Sequence, residues 1–163
     1  MATRVLVDVP ETGIWSPEGT EHDLRARPGL ALVAHDHKKI QLIDLAVCYR
    51  DVLIQYRLVA TATTGRMLQR MVGLEVECMR SGLDGGDRQI AQCVASGNVS
   101  AVIFLVDPFT PRPHEPEVDA VLRVCNRHDI PIATNVATAT ALLNSVSLIE
   151  LYAGGSRASL EDK

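Results

Sequence analysis

Ser100-Ala-Val-Ile-Phe-Leu-Val-Asp107 is the stretch that decides the fold. Its apolar run is unbroken, rich in β-branched and aromatic side chains, and too short for a helix. A run of this kind is a strand buried on both faces, which is the habit of parallel sheets. Downstream lies a Pro-rich loop over 107–116, then helical spacing over 117–128 with Val118, Val121, Leu122 and Cys125 on one side. A strand over 130–133 and a helix over 136–143 follow. Upstream, 81–86 is a glycine-rich turn leading into a helix over 87–95, which Ser96-Gly97-Asn98 stops. Further back come strands at 30–34, 56–60 and 75–79, a helix over 38–50, and another opened by Thr64-Gly65 and closed at Gly73. Strands alternating with helices predict an α/β fold: one three-layer domain with a mostly parallel five-stranded central sheet and helices on both faces.

Composition agrees. The 163 residues are 47% hydrophobic and 22% charged, which fits one soluble globular domain and excludes a disordered chain. With a net charge of −4 and aromatics at 4%, no basic field or stacking platform exists for nucleic acid, so no nucleic-acid partner is expected. No apolar run approaches the ~20 residues that span a bilayer, and the first residues show no secretion signal, so the expected location is the cytoplasm with no membrane partner. Cys48, Cys78, Cys93 and Cys125 form no C-x-x-C pair and sit among apolar neighbours, and are read as small core residues in a reducing compartment. Residues 1–28 mix Pro, Gly, Thr, Glu and Arg without periodicity, apart from a short strand at 4–9. They are read as an extension lying over the domain or partly disordered, with the domain itself over 29–152 and a tail over 153–163.

The polar residues fall just after strands: His35-Asp36-His37, Thr61 to Thr64, Ser81-Gly82, Asp107 and Thr134-Asn135. In open α/β sheets ligands bind outside the carboxyl ends of the strands, so the fold gathers these residues on one edge. Thr61-Ala62-Thr63-Thr64-Gly65 puts hydroxyls and N–H groups at a helix start, which suits a phosphate or simply caps the helix. It is neither a P-loop nor a dinucleotide fingerprint. Ser81-Gly82-Leu83-Asp84-Gly85-Gly86-Asp87 is a second anion-favouring turn. Asp87 is either an N-cap or a base aimed into the cleft. Lys39 is either a solvated side chain or the countercharge. His35, His37 and His114 lie near this edge; neutral His as a donor or acid is favoured there over half a metal site, and no metal or cofactor is expected. The G-x-S-x-G elbow is absent.

Taken together, 32–37 with Lys39, the 61–65 turn, Ser81-Gly82 with Gly85-Gly86-Asp87, the strand end at 103–108, Pro113-His114 and 130–138 resemble the methylglyoxal synthase family, over residues 30–143. The resemblance implies a lyase that converts dihydroxyacetone phosphate to methylglyoxal and inorganic phosphate without cofactor or metal, and usually a homohexamer. It implies that Lys39, Thr61, Ala62, Thr63, Thr64, Ser81 and Gly82 hold the phosphate, that His35 and His114 contact substrate oxygens, and that Asp87 is the base. Asp36 and Asp107 become supporting carboxylates. Glu117 stands where the family carries an active-site Asp, its extra methylene shifting the carboxylate by roughly 1 Å. The family shows Gly where Ala62 stands, so a positive φ there would crowd the phosphate, and Pro where Leu83 stands. An Arg near the family's C-terminus touches phosphate, and Arg157 is the candidate in this tail. The same fold also resembles the regulatory domain of carbamoyl-phosphate synthetase, a non-catalytic phosphate-ligand-binding module. Asp87 and His114 argue against that alternative, since a binder needs neither base nor acid.

Overall fold

A computed structural model describes residues 27–109 and 115–145. The predicted strand at 4–9, most of the extension, His114, Arg157 and the tail lie outside them. Five strands form the sheet: β1 Gly29–Ala34, β2 Arg57–Ala60, β3 Val76–Cys78, β4 Ala101–Leu105 and β5 Ile132–Ala133. Among the described residues six α-helices accompany them: α1 Lys39–Cys48, α2 Arg50–Leu53, α3 Ala62–Met67, α4 Gly86–Ala95, α5 Glu115–Arg127 and α6 Val136–Asn144. The order across the sheet is β3-β2-β1-β4-β5, with every pair parallel. The sheet is therefore wholly parallel.

Alternation along β1 builds two cores. Leu30, Leu32 and Ala34 face one side and pack with Leu42, Ile43, Ala46, Leu68, Ala139 and Leu143. Ala31 and Val33 face the other and pack with Ile90, Val94, Phe104, Val121 and Cys125. Both β1 and β4 are buried along their whole length, which is why they read as continuous apolar runs. Register sets Leu32 opposite Ala60 on one side and Ile103 on the other, so the ends of β1, β2 and β4 lie level. The loops after them therefore open onto one edge, and the order reverses between β1 and β4, the switch point where ligands bind.

Some expectations change. The helix over 38–50 divides into a 3-10 turn at Asp36–Lys38, α1 and the short α2. After α3 the chain continues as a π turn over Leu68–Val72, and Gly73 stops it in the left-handed region at φ 71°. The cysteines are not all core: Cys125 is buried and Cys93 half-buried, while Cys48 and Cys78 are exposed. Cys78 is exposed because β3 is an edge strand, with a neighbour on one side only. Burial pushes the Cys125 thiol up to about 11. Burial, and then the nearby Glu77 carboxylate, also raise Cys93, against a lowering from Arg57.

Candidate active site

His35 stands at the end of β1, and β4 fixes its ring. Its own N–H donates to the Leu105 carbonyl at 3.1 Å, and the Asp107 N–H donates to its Nδ1 at 2.9 Å. Phe104 supports the ring edge-on, with centroids 5.3 Å apart at 84°. A backbone N–H can only donate, so Nδ1 is the acceptor and the neutral ring carries its proton on Nε2. The bond bridges the switch point between β1 and β4. Asp107 itself is buried, and its carboxylate accepts the Phe109 N–H at 3.1 Å.

Lys39 begins α1, and its Nζ lies 2.7 Å from the Asp36 carboxylate. The lysine is the more sheltered partner, 17% exposed against 72% for Asp36. An exposed pair of this kind contributes about 0–1 kcal/mol, so it positions the ammonium more than it stabilises the fold.

The turn after β2 closes with the Gly65 N–H donating to the Thr61 carbonyl at 2.8 Å. Thr61 and Thr64 are buried and their hydroxyls lie 3.3 Å apart. Thr63 is exposed at the helix start. Ala62 has ordinary helical backbone within α3, and Asp129 is the one non-glycine residue with positive φ among those described. The expected crowding from a positive φ at 62 therefore does not arise. The Ala62 N–H donates to the Arg80 carbonyl at 3.2 Å, which ties the first turn to the second. The N–H groups of Thr63 and Thr64 precede the helical ladder and are the amides of this turn open to a ligand.

In the second turn the amides of Asp84 and Gly86 both donate to the Ser81 carbonyl, at 3.0 and 2.8 Å. The Ser81 hydroxyl donates to the Asp84 carboxylate at 2.5 Å. Gly85 takes φ 87°, and α4 starts behind it. Gly86 is needed for closeness, since a Cβ there would stand 2.1 Å from the Arg80 carbonyl oxygen. Asp87, in the first turn of α4, is buried. Its carboxylate lies across Gly82, with Oδ2 3.4 Å from where a Gly82 Cβ would be. A buried carboxylate is thereby held against the backbone of the second turn at Gly82.

Sequence reasoning thus placed His35, Asp36, Lys39, Thr61 to Thr64, Ser81, Gly82, Asp87 and Asp107 at the carboxyl ends of β1 to β4, and there they stand. Glu117 lies in the first turns of α5. Asn135 is a helix cap, its side chain accepting the Thr138 N–H at 2.9 Å. One positioning residue carried no sequence signal: Gln89, whose Oε1 accepts the Arg80 N–H at 2.7 Å and pins the second turn to α4. Among the described residues no three His, Cys, Asp or Glu side chains gather into a metal-binding group.

A family model described as the MGS-like domain matches residues 41–134. A methylglyoxal synthase of Cupriavidus pinatubonensis is 50% identical over 127 residues, 78% of this chain and 98% of that protein. One of Thermus thermophilus is 52% identical over 114 residues, 70% of this chain and 90% of that protein. Among solved structures, a methylglyoxal synthase of Elizabethkingia anophelis superposes with a TM-score of 0.70 at 38% identity, covering 75% of this chain and 80% of that one.

Proposed function

The chain belongs to the methylglyoxal synthase family, and from that premise we propose how its own residues divide the work. The enzyme is a lyase: dihydroxyacetone phosphate loses inorganic phosphate and becomes methylglyoxal. The reaction begins when a base removes a proton from the hydroxymethyl carbon, leaving an enediolate. Asp87 is that base. The observation that carries the assignment is its buried carboxylate lying over Gly82, beside the turn that receives the phosphate.

Charge then develops on the former carbonyl oxygen. His35 donates its Nε2–H there, in the tautomer that the Asp107 N–H sets. A preorganised donor at a developing oxyanion lowers the barrier by about 3–4 kcal/mol. His114 is the second contact to the substrate oxygens, by family resemblance, and Asp36, Asp107 and Glu117 are supporting carboxylates. The backbone N–H of Asp107 acts through His35 while its carboxylate holds the loop at Phe109, and the Asp36 carboxylate acts through Lys39.

Elimination requires the C–O bond to phosphate to lie perpendicular to the enediolate plane, so that its electron pair leaves with the phosphate. The enediolate's C=C pair shifts to join the central carbon to the carbon that bore the phosphate, the hydroxyl on the former hydroxymethyl carbon becomes the aldehyde carbonyl as its proton leaves with the phosphate, and the released enol ketonises to methylglyoxal. The two turns hold the phosphate out of plane with the amides of Thr63, Thr64, Ser81 and Gly82 and the hydroxyls of Thr61, Thr63 and Thr64. Ala62 lines this turn with its backbone. Ser81 contributes its N–H, because its hydroxyl already serves Asp84. Lys39 neutralises the departing dianion.

The catalytic unit spans 29–152, flanked by an extension at 1–28 and a tail at 153–163, and the described elements all fall at 29–144. Exposed Ile40, Val47 and Met71 support a homo-oligomer, a hexamer by family resemblance. Among the described residues no helix is long and apolar enough to cross a membrane and the cysteines are free, in keeping with a cytoplasmic enzyme.

The test is direct. Incubate the purified chain with dihydroxyacetone phosphate, read inorganic phosphate by phosphorus NMR, and read methylglyoxal after derivatisation. Equal amounts of both products support the reading. Absence of product at high enzyme concentration refutes it and leaves a phosphate-binding module.

A further inference from the structure

Beside the two phosphate turns lies a surface cleft of about 630 Å³. Ala62 and Ser81 belong to both the turns and the cleft wall, so the two spaces are continuous. Its remaining wall includes Arg66, Arg80, Cys78 and Asp84. Arg66 stands one helical turn after Ala62 on the same face of α3. Arg80 immediately precedes Ser81, and its backbone is held from both directions, by Gln89 and by the Ala62 N–H. Neither guanidinium has an ion-pair partner among the described residues. The nearest opposite charge in the cleft, Asp84, is engaged by the Ser81 hydroxyl.

We propose that Arg66 and Arg80 form an outer capture site that draws phosphate monoester dianions from solution toward the turns. The proposal rests on the functional reading above for its substrate. Its physical motive is the net charge of −4, which repels a dianion at long range. Two guanidiniums against the one Asp84 carboxylate leave the cleft lining with a net positive charge, opposite in sign to that of the whole chain. Both are solvated, so they act by attraction over several ångströms more than by a dehydrated contact, and salt screens that attraction. The signature is thus an effect on kcat/KM that fades as salt rises, with kcat untouched.

The experiment replaces both with an uncharged side chain of similar reach, Arg66→Gln with Arg80→Gln, and follows turnover of dihydroxyacetone phosphate between about 0.01 and 0.15 M ionic strength, where the Debye length falls from about 30 to 8 Å. Arg123→Gln with Arg127→Gln, both exposed on α5, removes the same two charges away from the cleft and controls for net charge. The expected result is a kcat/KM lower by roughly 3- to 10-fold at low salt and about twofold at 0.15 M. Its salt dependence should be shallower than in wild type and the control, with kcat unchanged. An unchanged salt dependence, a loss no greater than the control's, or a loss confined to kcat overturns the proposal. Calorimetric binding of inorganic phosphate at the same salts is the second arm, and it should weaken by the same factors. That arm decides capture without turnover, so a wild type that makes no methylglyoxal refutes the functional reading alone.

Discussion

Gly86→Ala is the substitution whose consequence the structure fixes most tightly. The added Cβ would lie 2.1 Å from the Arg80 carbonyl oxygen and 2.8 Å from that of Ser81. Both obstacles are backbone, and both are tied down. The Arg80 carbonyl accepts the Ala62 N–H, and the Ser81 carbonyl accepts two amides of its own turn. An ordinary carbon–oxygen contact is on the order of 3.3 Å, so the turn and α4 must separate by roughly 1 Å. Overpacking of that size costs about 1–3 kcal/mol. The next residue is Asp87, so the same displacement carries the proposed base away from its target, and a 1 Å error there costs on the order of 100-fold in rate. Urea unfolding followed by circular dichroism and steady-state kinetics on the same preparations measure both effects. Gly85→Ala is the comparison. It meets open space but sits at φ 87°, so it should lose about 1–2 kcal/mol from strain and leave Asp87 nearer its place. A Gly86→Ala protein with wild-type stability and wild-type kcat would refute the packing argument.

Further outcomes follow from the same geometry. Lys39→Ala should raise KM for the substrate, and the dissociation constant for inorganic phosphate, by about tenfold or more, a loss of at least about 1.4 kcal/mol of charge-assisted binding; an unchanged phosphate affinity by calorimetry would remove Lys39 from the site. His35→Phe should lower kcat by about 10²–10³-fold with KM moved far less, if its Nε2–H acts as proposed on charge that appears in the transition state. In native protein a thiol reagent should label the exposed Cys48 and Cys78 fast, Cys93 slowly, and Cys125 only on unfolding. The fold holds Cys125 as the neutral thiol up to about pH 11, against 9.0 for the ordinary group. The unfolded chain therefore loses this proton first as pH rises. Stability should fall by about 2–3 kcal/mol across pH 9 to 11, and Cys125→Val should flatten that part of the profile.

Much of this fold is legible in the sequence. The run at 100–106 and the one at 30–34 are strands buried on both faces, and such strands leave no polar residue to blur them. The gathering of the candidate site residues was legible because a parallel sheet brings every strand-to-helix turn to one edge. What was hidden depends on contacts between distant segments. The tautomer of His35 is set by an amide 72 residues away. Cys78 is exposed because β3 has one neighbour, and strand order is not written in local spacing. Glycine at 86 suggested an anion nest, yet its requirement comes from the Arg80 carbonyl pressed against it. Arg66 and Arg80 look like any surface arginine in sequence, and become notable through the cleft they share with Ala62 and Ser81. The regular helix expected over 38–50 broke at Tyr49, where φ −109° and ψ 21° leave the helical region.

The central claim is that the Asp87 carboxylate removes the proton. Asp87→Asn keeps the size of the side chain and removes its basicity, so the comparison isolates the chemistry. With dihydroxyacetone phosphate in deuterated water, proton NMR follows exchange at the hydroxymethyl carbon and phosphorus NMR follows phosphate release. Loss of both by about 10²–10⁴-fold, with inorganic phosphate still bound as in wild type, is the predicted result. Undiminished exchange and release in Asp87→Asn would contradict it.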